Sequence, residues 1–233
     1  MPDQLFNNRQ QANKKNVARR KSNLTERERV LIVCEGKKTE PIYFRDLITH
    51  LGLKKAAVKI CTNGQSAPIS VVNFGIEKFN ETNNFEHVFF VFDRDDHESY
   101  QSALQRVDGF RSRKTTKCKT VQAITSVPCF EIWFLLHFYN STKSYVSNPT
   151  KSACNQLIST LKKEADFANY EKGKEKEGYF NVLKDHHETA RKNAAILLKQ
   201  NLANGEGRHT GNPSTLVHEL ISCLETVAAA YQR

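Results

Sequence analysis

The sequence predicts an α/β protein in which a parallel sheet is flanked by helices and followed by a helical C-terminal extension. Three observations carry that expectation. Val30–Cys34 and Val88–Phe92 are apolar at every position, the pattern of strands buried on both faces. Strand-like and helix-like segments alternate through the first 140 residues. Beyond that point apolar side chains recur at helical spacing, with few strand signals.

Val30–Cys34 (VLIVC) is a strand, and the turn Glu35-Gly36-Lys37-Lys38 follows it. Thr39 and Glu40 supply a helix N-cap and Pro41 suits a first turn; Ile42, Phe44, Leu47, Ile48 and Leu51 then recur at helical intervals until Gly52. Ala57–Cys61 is a short strand. A helix over 69–80 places Val71, Val72, Gly75, Ile76 and Phe79 on one side, and Val88–Phe92 is the next strand. Ser99–Val107 is helical. Residues 111–119 form a loop with five basic side chains (Arg111, Arg113, Lys114, Lys117, Lys119) and no acid. Val121–Val127 is a fourth strand, and Pro128 opens an apolar helix, Cys129–Phe138, which holds the only tryptophan, Trp133.

In the remainder, Asn148-Pro149 and Asn212-Pro213 each have the form of an N-cap followed by Pro at the first helical position. They are expected to open helices through Leu157 and Leu161, and through Leu216, Leu220, Leu224 and Val227. A long helix is expected over 180–202. Residues 162–177 alternate charges without an apolar period and are expected to be an exposed connection. The expected divisions are a flexible basic arm over 1–27, an α/β core over 28–141, and a helical extension over 142–233 packed on that core.

Composition narrows the function. The chain has 233 residues, 39% of them hydrophobic, and a formal net charge of +10. That is long enough for a substantial core, and it excludes collagen, low-complexity and disulfide-stapled classes. No apolar run approaches the ~20 residues that span a bilayer, and the N-terminus lacks the apolar core of a secretory signal. A soluble, cytoplasmic protein without a membrane role is therefore expected. The positive charge points to a polyanionic partner, most simply nucleic acid. Six basic residues (Arg9, Lys14, Lys15, Arg19, Arg20, Lys21) against one acid, Asp3, put half of the excess in residues 1–24. That stretch is either an arm that reaches phosphates or a solvated tail. Six scattered cysteines form no C-x-x-C pair; Cys34, Cys61 and Cys223 lie in apolar segments, as reduced core cysteines do.

Acidic residues follow two of the predicted strands. Glu35 comes directly after VLIVC, and Asp93-Arg94-Asp95-Asp96-His97 directly after VFFVF. Ligands bind at the carboxyl edge of an open α/β sheet. In extended chain Asp93 and Asp95 point the same way. Three carboxylates gathered there repel one another unless one protonates or a hard cation such as Mg²⁺ or Mn²⁺ intervenes. An ordinary acidic turn, with an aspartate capping the next helix, is the alternative.

A strand ending in Glu-Gly and a later strand ending in Asp-x-Asp resemble the Toprim domain of topoisomerases, primases and OLD-type nucleases. More narrowly, V-C-E-G-K-K-T-E-P-x-Y-F (33–44), V-F-D-R-D-D-H (91–97), P-C-F-E-I-W-F-L-L-H-F (128–138) and N-P-S-T (212–215) resemble the RloB-like family. The resemblance covers nearly the whole chain outside the arm. It implies a Toprim/Rossmann-like fold and a bacterial or archaeal nuclease-like effector tied to restriction and phage defence, often beside an ABC- or AAA-type ATPase. By residue it implies that Glu35, Asp93 and Asp95 hold Mg²⁺ or Mn²⁺, with Glu35 also a general acid or base. Glu131, in the P-C-F-E stretch, is either a fourth catalytic acid or a buried structural ion pair; Asp96 is extra to the pattern.

Lys37, Lys38, Arg94 and His97 flank these acids and are candidates for phosphate contact. Arg111, Arg113 and Lys114 are candidates for tracking a nucleic-acid backbone. His137 reads as a core or interface histidine, and His186-His187 as a solvated pair. The function expected is metal-dependent hydrolysis of DNA or RNA, tRNA included. Two alternatives stand beside it: a non-catalytic nucleic-acid-binding or regulatory partner of an ATPase, and a phosphohydrolase of the haloacid dehalogenase type. The latter family carries its D-x-D on the first strand rather than the third. A homo-oligomeric state is left open by the sequence.

Overall fold

The computed structural model describes residues 28–94, 97–113, 116–174 and 178–232. The arm, Asp95, Asp96 and Lys114 lie outside the described residues. Five strands form one sheet: β1 (Val30–Cys34), β2 (Val58–Thr62), β3 (His87–Asp93), β4 (Thr120–Val127) and β5 (Ser214–Thr215). Their order is β2-β1-β3-β4-β5. The first four are parallel, and β5 pairs antiparallel with β4 through Ser126↔Thr215 and Val127↔Ser214.

Helices α1 (Thr39–His50), α2 (Pro68–Asn80) and α3 (Tyr100–Arg111) connect successive parallel strands. Then follow α4 (Glu131–Leu135), α5 (Ala153–Leu161), α6 (Phe180–Leu183), α7 (His187–Ala203) and α8 (Val217–Tyr231). This is the expected α/β class, a Rossmann/Toprim-like parallel sheet flanked by helices with a helical C-terminal extension.

The pleat of each central strand divides the core in two. Val30, Ile32, Cys34, Phe89 and Val91 face one side, packed with α1 and with the helices that follow β4. Leu31, Val33, Val88, Phe90 and Phe92 face the other, against α2 and α3. On that side Gly75 lets α2 approach closely: a Cβ there would lie 2.6 Å from Phe90 Cε1 and 2.7 Å from Val33 Cγ2. Leu157, Leu161, Phe167, Tyr170, Leu183, Leu197, Leu220 and Leu224 of the C-terminal part join the first cluster.

Four expectations are corrected. The Asn148 side chain accepts hydrogen bonds from the amides of Thr150 and Lys151, making a turn of its own. Helix α5 begins later, capped by Ser152 Oγ, which accepts from Asn155 N. Asn212 likewise caps no helix. Its side chain exchanges two hydrogen bonds with the Tyr145 backbone, at 3.1 and 2.7 Å, the chain after Pro213 pairs as β5, and α8 starts at Val217. The helix expected over 180–202 is broken by a 3₁₀ turn, Lys184–His186. Finally, residues 162–177 are not a purely exposed connection. Phe167 and Tyr170 are fully buried, and Phe167 stacks on Tyr179 with ring centroids 4.6 Å apart. Two aromatics three apart anchor the segment where charge alternation hides any period.

Helix α4, shorter than the sequence suggests, is buried on all sides, which accounts for its lack of a polar face. Around it, Trp133 Nε1 donates to Tyr43 Oη at 2.7 Å, and Tyr43 Oη lies 3.1 Å from His187 Nε2. The Tyr43 phenol thus bridges the indole N–H and the His187 ring. His137 is buried and donates from Nδ1 to the Trp133 carbonyl at 2.8 Å. His187 is therefore a packed histidine rather than one of a solvated pair, whereas His186 is exposed.

Candidate active site at the carboxyl edge of the sheet

β1 and β3 are neighbours in register, so the residues that leave their carboxyl ends are neighbours too. The Glu35 amide donates to the Val91 carbonyl at 3.0 Å, extending the ladder by one residue. Glu35 Oε2 in turn accepts from the Asp93 amide at 2.9 Å. Glu35 and Asp93 are thereby locked side by side. Asp93, only 5% exposed, closes β3 opposite Ser126. Asp95 lies outside the described residues.

Two further acids stand behind this pair. Glu131 is fully buried, and its Oε1 accepts from Tyr170 Oη at 2.7 Å. Glu40 is buried in the first turn of α1, where its Oε1 accepts from the Gly36 amide at 3.4 Å. Gly36 is required by this approach, since a Cβ there would fall 2.2 Å from Glu40 Oε2. Lys172 reaches in from the segment after α5. Its Nζ lies 3.3 Å from Asp93 Oδ2 and 3.3 Å from Glu131 Oε2. Glu131 thus belongs to a buried ion pair and also borders the Glu35–Asp93 site.

Burial pushes the Asp93 carboxyl well above its ordinary range; Lys172 pulls it down, while Glu40, Glu35 and Glu131 push it further up. Glu40 is raised chiefly by burial, against the lowering effect of its hydrogen bonds and of Lys172. Four carboxylates around one ammonium leave an excess of negative charge in a poorly solvated place. Such an excess of hard oxygen donors suits Mg²⁺ or Mn²⁺, and Glu35 and Asp93, which line the open side, are the residues that would hold it.

A cleft of about 430 Å³ exposes this edge, lined by Glu35, Glu40, Asp93, Lys172, Lys37 and Lys38 among others. Lys37 and Lys38 are solvent-exposed at the start of α1. Arg94 and His97 line an adjoining cleft of about 460 Å³, which Lys172 shares. Arg94 Nη1 donates to the Thr210 carbonyl at 2.6 Å and so holds the glycine-rich 205–211 loop against the site.

Other candidates lie elsewhere. α3 runs back to the amino edge of the sheet, so Arg111 and Arg113 sit roughly 20 Å from Asp93, a strand length away. Arg111 pairs there with Asp108 at 2.8 Å, and Lys119 pairs with Glu28. Arg111, Arg113 and Lys119 consequently do not rim the acidic cleft.

Sequence reasoning missed Glu40 and Lys172 as parts of the site. Glu40 carried a signal, an acid five residues after Glu35 on the first turn of the next helix. Lys172 carried none, being one of several lysines in a charge-rich stretch. Also unforeseen is a disulfide between Cys129 and Cys154, 25 residues apart in sequence. Ligand atoms of Cys129, Glu131 and Cys154 cluster within 4.8 Å, but with the sulfurs bonded to each other they offer no thiolate to a metal.

A Rossmann/Toprim-like parallel sheet with carboxylates at the ends of two adjacent central strands defines an open α/β protein with an acidic carboxyl-edge site. Residues 30–224 match the family model described as RloB-like protein, and the chain belongs to that family. No curated protein and no solved structure matches the chain. Among the described residues no helix is long and apolar enough to cross a membrane.

Proposed function

We propose that this chain is a metal-dependent nuclease that hydrolyses phosphodiester bonds of DNA or RNA, tRNA included. Its setting would be a bacterial or archaeal cytoplasm, as effector of an anti-phage or restriction-linked system with an ABC- or AAA-type ATPase partner. One observation carries the chemistry: Glu35 and Asp93 are held together on the open cleft, with Glu40 and Glu131 behind them. Glu35 and Asp93, joined by Asp95, would hold Mg²⁺ or Mn²⁺. When bound, that ion supplies Lewis-acid stabilisation of the phosphoryl oxygens and a more acidic water.

The chain's own residues do the rest. Lys37 and Lys38, exposed beside the cleft at the N-terminus of α1, receive the flanking phosphate. Lys172 holds Asp93 and Glu131 in place through contacts of 3.3 Å to each. Tyr170 fixes the second oxygen of Glu131. Arg94 anchors the 205–211 loop through the Thr210 carbonyl and lines the adjoining cleft, where a continuing strand of substrate has room to lie. The basic arm and the Arg111–Arg113 region bind substrate at a distance and would make affinity fall steeply with salt.

A second reading, a regulatory nucleic-acid-binding partner of the ATPase with an inert acidic site, draws support from Lys172, whose ammonium already contacts Asp93 Oδ2. Incubating the protein with plasmid DNA, tRNA and total RNA, with Mg²⁺ or Mn²⁺ and with or without the ATPase, separates the two. Cleavage lost in Asp93→Ala/Asp95→Ala supports the nuclease. Cleavage that survives the double substitution sinks the proposed chemistry, and none under any condition favours the regulatory reading.

A further inference from the structure

Cys129 and Cys154 join the segment just ahead of α4 to the first turn of α5. The 25-residue span they close begins two residues before Glu131 and ends with Ser147, Ser152 and Ala153, part of the wall of the 460 Å³ cleft. The two sulfurs differ in access: Cys154 lines that cleft and is 8% exposed, whereas Cys129 is fully buried. Lys172 Nζ lies 3.6 Å from Cys154 Sγ and contacts Asp93 and Glu131 with the same ammonium. The reachable sulfur of the disulfide and the counter-charge of the acidic site are therefore in contact.

We propose that Cys129–Cys154 is a reversible dithiol–disulfide site, opened by a dithiol reductant entering the cleft, and that its state controls the wall and Lys172 of the carboxylate site. In the first step the reductant's thiolate attacks Cys154 Sγ, forming a mixed disulfide, and Cys129 leaves as a thiolate that takes up a proton. The reductant's second thiol then displaces Cys154 Sγ, which is protonated in turn. Two electrons and two protons pass to the protein, and the reductant departs as its own disulfide. Access dictates the order of attack.

Opening the bond releases a long loop, so the cleft wall gains conformational freedom beside Glu131, which Lys172 and Tyr170 continue to hold. A disulfide in a reducing compartment is usually transient or redox-sensing, and this one sits where a change of state meets charged side chains. The consequence for cation binding rests on the reading of Glu35 and Asp93 as a metal site; the thiol chemistry does not.

The test equilibrates the full-length protein in dithiothreitol redox buffers, quenches with acid, and maps each cysteine by differential alkylation and mass spectrometry. Cys129 and Cys154 are expected to change state together in the folded protein, distinct from Cys34, Cys61, Cys118 and Cys223. Limited proteolysis within residues 139–151 should quicken several-fold on reduction, and Tm should fall by roughly 10 °C. A pair that resists excess dithiol until the protein unfolds would overturn the proposal, as would unchanged proteolysis. Cys129→Ser/Cys154→Ser should reproduce the reduced proteolysis pattern and ignore redox buffer; if it misfolds, Cys154→Ser alone gives the same readout.

Mn²⁺-dependent melting, measured in both states, separates the layers. No Mn²⁺ shift in either state overturns the cation site and leaves the thiol chemistry standing on the alkylation result. An equal Mn²⁺ midpoint in both states overturns the coupling.

Discussion

Lys172→Met removes an ammonium and keeps most of the aliphatic stem, which isolates the charge that balances the acidic cleft. Each contact from Nζ, to Asp93 and to Glu131, spans 3.3 Å. At an effective dielectric near 20 that distance corresponds to about 5 kcal/mol of gross attraction per pair. Desolvation offsets most of it, and the lysine side chain is 39% exposed, so water screens much of the remainder. A net loss of about 1–3 kcal/mol is expected, which for a chain of this size lowers Tm by roughly 3–9 °C.

The pH dependence is the sharper signature. Burial already holds the Asp93 pKa above its ordinary 3.8, and Lys172 opposes that rise. A carboxyl with a raised folded pKa contributes stability below 3.8 that is lost as pH rises through the folded value. Without Lys172 the folded value rises further, so the variant's deficit should be small near pH 4 and grow towards neutrality. Differential scanning calorimetry at low salt across that range reads it directly. A variant that melts with the wild type at neutral pH, or whose deficit is the same in acid, would refute this account of Lys172.

Two other perturbations follow from the core. Burial pushes the folded-state pKa of His137 down to about 3 and that of His187 to about 4, from an ordinary 6.5. Their contribution is fully present above 6.5 and lost as pH falls towards those values, at up to about 1.4 kcal/mol per group per pH unit. Because Asp93 and Glu40 act in the opposite sense, the test is comparative: His137→Leu should make the acid-side slope in urea unfolding shallower than in the wild type, and an unchanged slope contradicts it. Gly75→Ala drives a Cβ to 2.6 Å from Phe90 and should cost about 1–3 kcal/mol by chemical denaturation; a neutral result would mean that α2 shifts freely off the sheet.

The sheet was legible because β1 and β3 are buried on both faces and therefore apolar without interruption. The same fact made Glu35 and Asp93 stand out, each a charge placed directly where such a strand ends. Partners brought in from afar were not legible. Lys172 is 79 residues from Asp93 and sits in a charge-rich stretch between Glu171 and Lys174. Cys129 and Cys154 have a spacing shared by countless unpaired cysteines, and only the packing of α5 beside α4 brings them together. The two Asn-Pro pairs misled for a local reason. Asparagine side chains close turns and bind backbone as readily as they cap helices, and the sequence does not distinguish these uses.

Glu35 and Asp93 together are proposed to hold a divalent cation at the carboxyl edge of the sheet. Titration of Mn²⁺ followed by electron paramagnetic resonance, on the wild type beside Glu35→Gln and Asp93→Asn, tests it most directly. Both variants keep the size of the side chain, and in Glu35→Gln the new carboxamide retains an oxygen for the Asp93 amide. Saturable binding is expected in the wild type, weakened at least tenfold in each variant, a loss of about 1.4 kcal/mol or more. Variants that bind Mn²⁺ as tightly as the wild type would contradict it.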